Sequence, residues 1–108
     1  MAVNDAYHVN ENDLADTGEL IADGSTSDTN AAEVHELGGT GSAEIYRESD
    51  PDDNGTFEVS VLIDTVSGTW HSQLNQLTVS QSQNHRLRVV NTSGGTADYY
   101  ATGMEVDD

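Results

Sequence analysis

The chain of 108 residues contains no cysteine and no lysine, and it has a single proline. Without cysteine, the chain can form neither a disulfide framework nor a thiolate metal site. No window approaches the run of about 18 apolar residues that a membrane span requires. Residues 1–5 lack the basic start and apolar run of a secretory leader. We therefore expect synthesis in the cytoplasm and no membrane partner.

Acidic residues dominate the charged side chains. Twenty aspartates and glutamates face three arginines, for a formal net charge of −17. Neutralising a phosphate backbone requires a basic face, so this composition argues against a nucleic-acid partner. Arg86 and Arg88 share one face of a predicted strand. We expect them to meet a carboxylate within the fold or on a neighbouring subunit, and we favour the subunit contact.

Large aliphatic residues and phenylalanine are scarce, at 21 of 108 residues. That share lies just below the roughly 20% that, together with high net charge, is typical of disordered chains. Screening of the self-repulsion by salt is one way in which such a chain can fold. The Debye length falls from about 8 Å at physiological ionic strength to about 3 Å at 1 M salt. In composition the chain resembles proteins of extremely halophilic organisms, the haloarchaea and their viruses.

The clearest alternation of apolar and polar residues lies at Thr56–Thr65. A period of two places alternate side chains on one face of a strand. We predict that this segment is the central strand of the core, with partners at both edges. Leu62, on the otherwise polar face, is the predicted contact for a second sheet or a neighbouring subunit. The apolar face consists of Phe57, Val59, Val61 and Ile63.

Several other short segments are predicted to be strands, and turn residues separate them. Together they indicate an all-β fold, an antiparallel β-sandwich or jelly roll of about seven or eight short strands. Trp70, Leu74 and Leu77 lie at helical offsets, so Thr69–Leu74 is either extended or a single helical turn. The remaining predicted strands are Glu19–Ala22, Ala32–Leu37, Ser42–Glu48, His85–Asn91 and Ala97–Val106.

The first thirty residues are polar and strongly acidic, with few apolar side chains. Such a segment is rarely ordered unless it is tied down. We predict an extended, mostly irregular acidic N-terminal arm over residues 1–30 and a β-sandwich domain over 31–108.

One turn resembles the start of a calcium-binding loop. Asp50, Asp52 and Asn54, followed by Gly55, match the first six positions of the pattern, and their oxygens suit a hard cation. The twelfth position is Val61 rather than a bidentate glutamate, which favours an ordinary hairpin turn. Whether these side chains bind a cation stays open.

The remaining candidate chemistry is sparse. Gly39–Ala43 approaches the nucleophile elbow but lacks its last glycine. Four histidines lie in separate segments without metal-ligand spacing. We therefore predict no catalytic residue, no metal, no cofactor and no enzymatic activity. The histidines are His8, His35, His71 and His85.

A compact β-sandwich with an acidic N-terminal region resembles the capsid-associated proteins of tailed viruses. The run from Arg86 to Gly103 also resembles terminal hairpins of virion β-sandwich proteins. The resemblance implies a decoration or turret component on the virion surface. Such a component would be a homo-oligomer that stabilises the particle at high salt and contacts other capsid proteins through its N-terminal arm.

A second class of function stays open from the sequence. A free-standing β-sandwich module of a halophile, binding carbohydrate or protein, would use Trp70, Tyr99 and Tyr100 as an aromatic platform. Core packing is the alternative for these side chains, and we favour it for Trp70 and one of the two tyrosines.

Overall fold

The structure is a computed structural model that describes residues 5–108. Those residues contain no helix, and so none that is long and apolar enough to cross a membrane. The predicted all-β class is confirmed, and two predicted strands have the bounds that the structure gives them. The strands are β1 (Ala6–Leu14), β2 (Glu19–Ala22), β3 (Ala31–Gly39), β4 (Ala43–Ser49), β5 (Val59–Val66), β6 (Trp70–Ser80), β7 (His85–Asn91) and β8 (Ala97–Glu105).

All strand pairs are antiparallel, and the eight strands form one hydrogen-bonded sheet. Its order is β1-β8-β3-β6-β7-β4-β5, and β2 pairs with β7 beside that path. β6 and β7 meet at a single pair, Ser80 and His85. The sheet therefore consists of two four-stranded groups, β1-β8-β3-β6 and β2-β7-β4-β5, joined at one corner.

Both groups contribute side chains to one apolar core. Leu87 and Val89 of β7 are buried, and the arginines beside them share the other face, as predicted for the two arginines. Val34 and Leu37 enter the same core from β3 although they lie three positions apart in the chain. The register shift between Val34 and Glu36 explains that spacing, because an extra residue moves the inward face by one position.

The same shift explains the ambiguous pattern of β6. Val34 pairs with Leu77, but Glu36 pairs with Gln73, so β6 is irregular between these two pairs. Gln76 has a left-handed φ of 53° there. Leu74 and Leu77 consequently both pack against the core from one extended strand. Their helical offset arises from a distortion of the strand, and the segment is not a helical turn.

The prediction of a central core strand at Thr56–Thr65 is wrong. The strand begins at Val59, pairs with β4 alone among the strands of residues 5–108, and forms one end of the sheet. Four of its large apolar side chains are exposed to between 41% and 55%, and only Val66 at its end packs against the core. Alternation is a local property that edge and central strands share, and it does not say how many neighbours a strand has.

An irregular N-terminal arm is not confirmed. β1 pairs along its length with β8, and β2 pairs with β7. Tyr7 and Leu20 are buried in the core. An antiparallel edge strand draws much of its order from main-chain hydrogen bonds, so a few inward side chains are enough to hold it. Residues 1–4 lie outside the described part of the chain.

Candidate functional site: an apolar edge and an aromatic cleft

A buried carboxylate organises the outer face of β4, β5 and β7. Glu48 lies opposite Arg86 on β7 and Ser60 on β5, and it is only 3% exposed. Its Oε1 accepts from Nε of Arg86 at 2.8 Å, and its Oε2 accepts from Nε of Arg88 at 2.9 Å. The hydroxyl of Ser60 also donates to Oε2, at 2.6 Å. The carboxylate thus ties three strands together.

Burial by itself raises the pKa of Glu48, but the hydrogen bonds from Ser60, Arg88 and Arg86 outweigh it, so the pKa lies below its usual range. Burial likewise opposes the charge of Arg88, yet bonds to Glu19 and Glu48 raise the pKa of its guanidinium. Nη1 of Arg88 donates to Glu19 at 2.7 Å. The shifts of the two pKa values favour the charged forms of Glu48 and Arg88 at neutral pH.

The two guanidinium groups are occupied within the fold. Arg86 lies 3.8 Å from the ring centroid of Phe57, and Arg88 lies 4.4 Å from that of Tyr46. Our preference for a subunit contact of these arginines is therefore wrong, and the partner is Glu48 on the neighbouring strand. The third arginine, Arg47, donates to the carbonyl of Thr78 on β6 at 2.7 Å.

An apolar stretch occupies the end strand of the sheet, and we call it the apolar edge. The exposed fractions are 46% for Val59, 55% for Val61, 47% for Leu62 and 41% for Ile63. These are the exposed large hydrophobic residues of the described chain. Scattered apolar residues are common on protein surfaces, but a contiguous exposed group often marks an interaction site.

The register shows that the side chains of the apolar edge lie on both faces of β5. Leu62 lies opposite Tyr46, and Val61 lies opposite Arg47. Directly opposed residues of an antiparallel pair share a face, so Leu62 and Val61 point to opposite sides. A register shift between Ile45 and Tyr46 leaves Ile63 as the extra residue of β5.

A cleft of about 660 Å³ opens on the β1-β8-β3-β6 group. Its floor is a ladder across the four strands, in which Asn10 pairs with Tyr100, Tyr100 with Gly38, and Gly38 with His71. A Cβ on Gly38 would overlap the ring of Tyr100. The missing side chain therefore lets the tyrosine ring lie close against the main chain of β3.

Glu36 connects two polar groups of this cleft. Its Oε1 accepts from the hydroxyl of Tyr100 at 2.9 Å, and its Oε2 lies 3.3 Å from Nδ1 of His71. Burial, followed by the hydrogen bond to Glu36, raises the pKa of Tyr100. The phenol is therefore a neutral donor at physiological pH, and the cleft has an aromatic ring beside a carboxylate.

The other two aromatic side chains of the cleft are anchored by hydrogen bonds to main-chain carbonyls. Tyr99 is buried and donates to the carbonyl of Ser42 at 2.9 Å. Trp70 is half-buried, and its indole donates to the carbonyl of Gly41 at 2.8 Å. All three aromatic residues line the cleft, but Tyr100 alone takes the outer face. The segment that approaches a nucleophile elbow thus supplies main-chain acceptors to aromatic residues.

The aspartate turn is held by its own hydrogen bonds. The buried carboxylate of Asp50 accepts from the main-chain N–H groups of Gly55, at 2.8 Å, and Asn54, at 3.4 Å. The side chain of Asn54 accepts from Thr56. Three of the five side-chain oxygens of Asp50, Asp52 and Asn54 thus accept hydrogen bonds that close the turn. Among residues 5–108, no three His, Asp or Glu side chains are grouped as a metal site would require.

The histidines stay in separate places. His35 lies 3.4 Å from Glu33, and His71 belongs to the cleft. Nδ1 of His85 lies 3.2 Å from Nη2 of Arg47. His8 is exposed on β1. Each histidine thus has a different setting within the sheet.

Comparison with known proteins finds a relative of this chain among viral proteins. The chain is 36% identical over 94 residues to Gp30 of Haloferax tailed virus 1, and the match covers 86% of this chain and 82% of that protein. The chain therefore belongs to the same family as this protein of a haloarchaeal tailed virus. No protein-family model matches it.

Two solved structures are similar in shape. The crystal structure of the Drosophila NLP core, which was described for pentamer formation and histone binding, has a TM-score of 0.51 at 9% identity. That match covers 91% of this chain and 95% of the other. A pilus protein of Bacillus endospore appendages has a TM-score of 0.45 at 13% identity, over 98% of this chain and 88% of the other. The first of these shows a shared β fold.

Proposed function

We propose that the chain is a structural protein of the virion, a capsid-associated decoration or turret component that works as a homo-oligomer at high salt. Membership of a tailed-virus family supports a viral role. The observation that carries the assembly role is the apolar edge, because a strand with four exposed aliphatic residues at the end of a sheet invites a partner.

Burial of the apolar edge on association would contribute several kcal/mol of favourable free energy. Full burial of a valine, leucine or isoleucine is worth about 1.5–3 kcal/mol. The four side chains are already about half buried, so covering them adds about 1 kcal/mol each, or about 8 kcal/mol for two chains. Association costs about 4–15 kcal/mol in lost translational and rotational freedom. Main-chain hydrogen bonds or further contacts therefore have to supply the rest of the favourable free energy.

High salt supports this role, because it weakens the repulsion between copies that each carry a net charge of −17. We propose no nucleic-acid partner, since all three arginines have protein partners. We propose no enzymatic activity, since the polar groups described above hold strands and turns. Other capsid proteins remain proposed partners at the virion surface.

We also propose that the two groups of strands face each other as layers of a sandwich. They share one core, and β1 lies close to β2 of the other group. Arg47 reaches from β4 to β6 of the other group. The N-terminal strands then belong to the layers, and the proposed assembly contact moves from residues 1–30 to β5.

The mass of the purified protein in solution tests the assembly role. In about 3 M salt, light scattering should give a mass that is a multiple of 11.5 kDa, because screening lets apolar edges meet. Mass spectrometry of purified virions should detect the chain in stoichiometric amounts. A strict monomer at high concentration in this salt, or a chain absent from virions, would contradict the proposal.

A second candidate function has one observation in its favour, the aromatic cleft. An aromatic ring next to a carboxylate, with Asn10 and Asp98 also lining the cleft, suits the hydroxyl groups of a neutral saccharide. Trp70 is the single tryptophan, so its fluorescence reports the cleft. A neutral oligosaccharide should change this fluorescence saturably in the wild type and not in Tyr100→Ala. Identical titrations of the two proteins would exclude saccharide binding at Tyr100.

A further inference from the structure

The apolar edge combines exposed side chains with an unpaired main chain. β5 pairs with β4 on one side and has no partner among the described residues on the other. An unpaired edge leaves N–H and C=O groups available to another strand. The strand therefore offers both apolar contact and hydrogen bonds along the same line.

The usual protections of an edge strand are weak here. No charged residue occurs from Val59 to Ile63, and the single proline, Pro51, lies outside the strand. Edge strands commonly carry lysine, proline or bulges that prevent association. β5 has the register shift at Ile63 and one charged residue, Asp64, near its end.

The apolar side chains leave β5 on both of its faces, as Val61 and Leu62 show. A partner that covered one face alone would leave the other exposed. A strand added along the free edge lies beside both faces at once, because its own side chains also alternate. The geometry therefore favours strand addition over docking against one face.

The distribution of apolar surface identifies the occupant. Within residues 5–108, all exposed large hydrophobic residues belong to β5. A second copy can therefore match apolar surface with apolar surface only by presenting its own β5. Any other approach would place the edge against a part of the described surface that has no exposed large hydrophobic residue. Contact between identical patches is isologous and has a two-fold axis.

We infer that β5 pairs antiparallel with β5 of a second copy across a two-fold axis close to Leu62, the middle of the segment Val59–Thr65. This inference rests on the proposed self-assembly. The pairing extends the sheet across the dimer and covers the four exposed side chains. Further contacts between such dimers would build the larger oligomer.

Cysteine cross-linking tests the inference, because the chain contains no cysteine of its own. In about 3 M salt, oxidation of Leu62→Cys should convert most chains to a disulfide-linked dimer, since directly opposed residues of an antiparallel pair are close enough for a disulfide. Thr96→Cys is the control, an exposed position in the turn between β7 and β8, and it should stay uncross-linked.

A charge at the same position gives an independent readout. In Leu62→Asp, each aspartate would face its counterpart across the axis, and the dissociation constant should rise roughly 100-fold or more. Circular dichroism should show the fold unchanged, because Leu62 is half exposed. If the wild type is oligomeric but Leu62→Cys does not cross-link and Leu62→Asp still associates, β5 pairing is overturned while self-assembly stands. A monomeric wild type overturns both proposals.

Discussion

Replacing Gly103 by alanine is expected to destabilise the fold by about 3 kcal/mol or more, since overpacking commonly costs about 1–3 kcal/mol and here the obstacle is main chain. Gly103 lies in β8 between Tyr7 of β1 and Val34 of β3. A Cβ at this position would overlap the carbonyl oxygen of Glu33. That oxygen cannot retreat without disturbing the pairing of β3 with β8, in which Glu33 lies opposite Met104.

Urea unfolding at high salt measures this effect, and Gly95→Ala is the matched control. Gly95 lies in the turn before β8, and a Cβ there would meet no atom within 4 Å. The control should unfold within about 0.5 kcal/mol of the wild type. Equal stability of the two variants would mean that β3 and β8 are not packed as the structure has them.

Replacing Glu48 by glutamine should cost about 2–3 kcal/mol at neutral pH, less than the loss of a fully buried ion pair because the arginines are partly exposed. Glutamine keeps the shape but turns one acceptor into an N–H₂ donor. That donor would face a guanidinium or the hydroxyl of Ser60. The two arginines would also lose their shared counter-charge.

The pH dependence separates charge from packing. The folded pKa of Glu48 lies below the unfolded value, so its stabilisation is complete above the unfolded pKa of about 4.3 and is lost as pH falls through the folded pKa. Urea unfolding should therefore show a wild-type advantage at neutral pH that shrinks as the pH falls below about 4. A difference that does not change with pH would assign the effect to packing.

Glu44→Gln is the matched control for this experiment. Glu44 also belongs to β4, but within the described part of the chain its carboxylate accepts a single hydrogen bond, from the hydroxyl of Tyr46 at 2.9 Å. The loss should be below about 1 kcal/mol, the usual scale of one partly exposed hydrogen bond. A similar loss in both glutamine variants would contradict the special role of Glu48.

The core strands could be predicted because their signal is local. Leu87 and Val89 alternate with polar residues in β7, and the structure buries both. The separation of Tyr99 and Tyr100 onto opposite faces follows from the same period of two. For these strands, the alternation of side chains and the turn residues on either side both indicate the same strand.

The sites could not be predicted in the same way, because their members are distant in the chain. Glu48 and Arg86 are 38 residues apart, and Tyr100 and Glu36 are 64 residues apart. Only the pairing of β4 with β7 and of β8 with β3 brings them together. Alternating arginines in β7 indicated that a carboxylate was needed, but the sequence offered twenty candidates.

The sequence by itself determined the class of fold, the positions of most strands and the acidic surface that suits high salt. Each depends on composition or on neighbours a few residues apart. The tertiary structure decided that β5 lies at the end of the sheet and that β1 and β2 belong within it. Those outcomes depend on which strands pair with each other. Segments that are distant in the chain compete for that pairing, and no local sequence pattern indicates which of them pair.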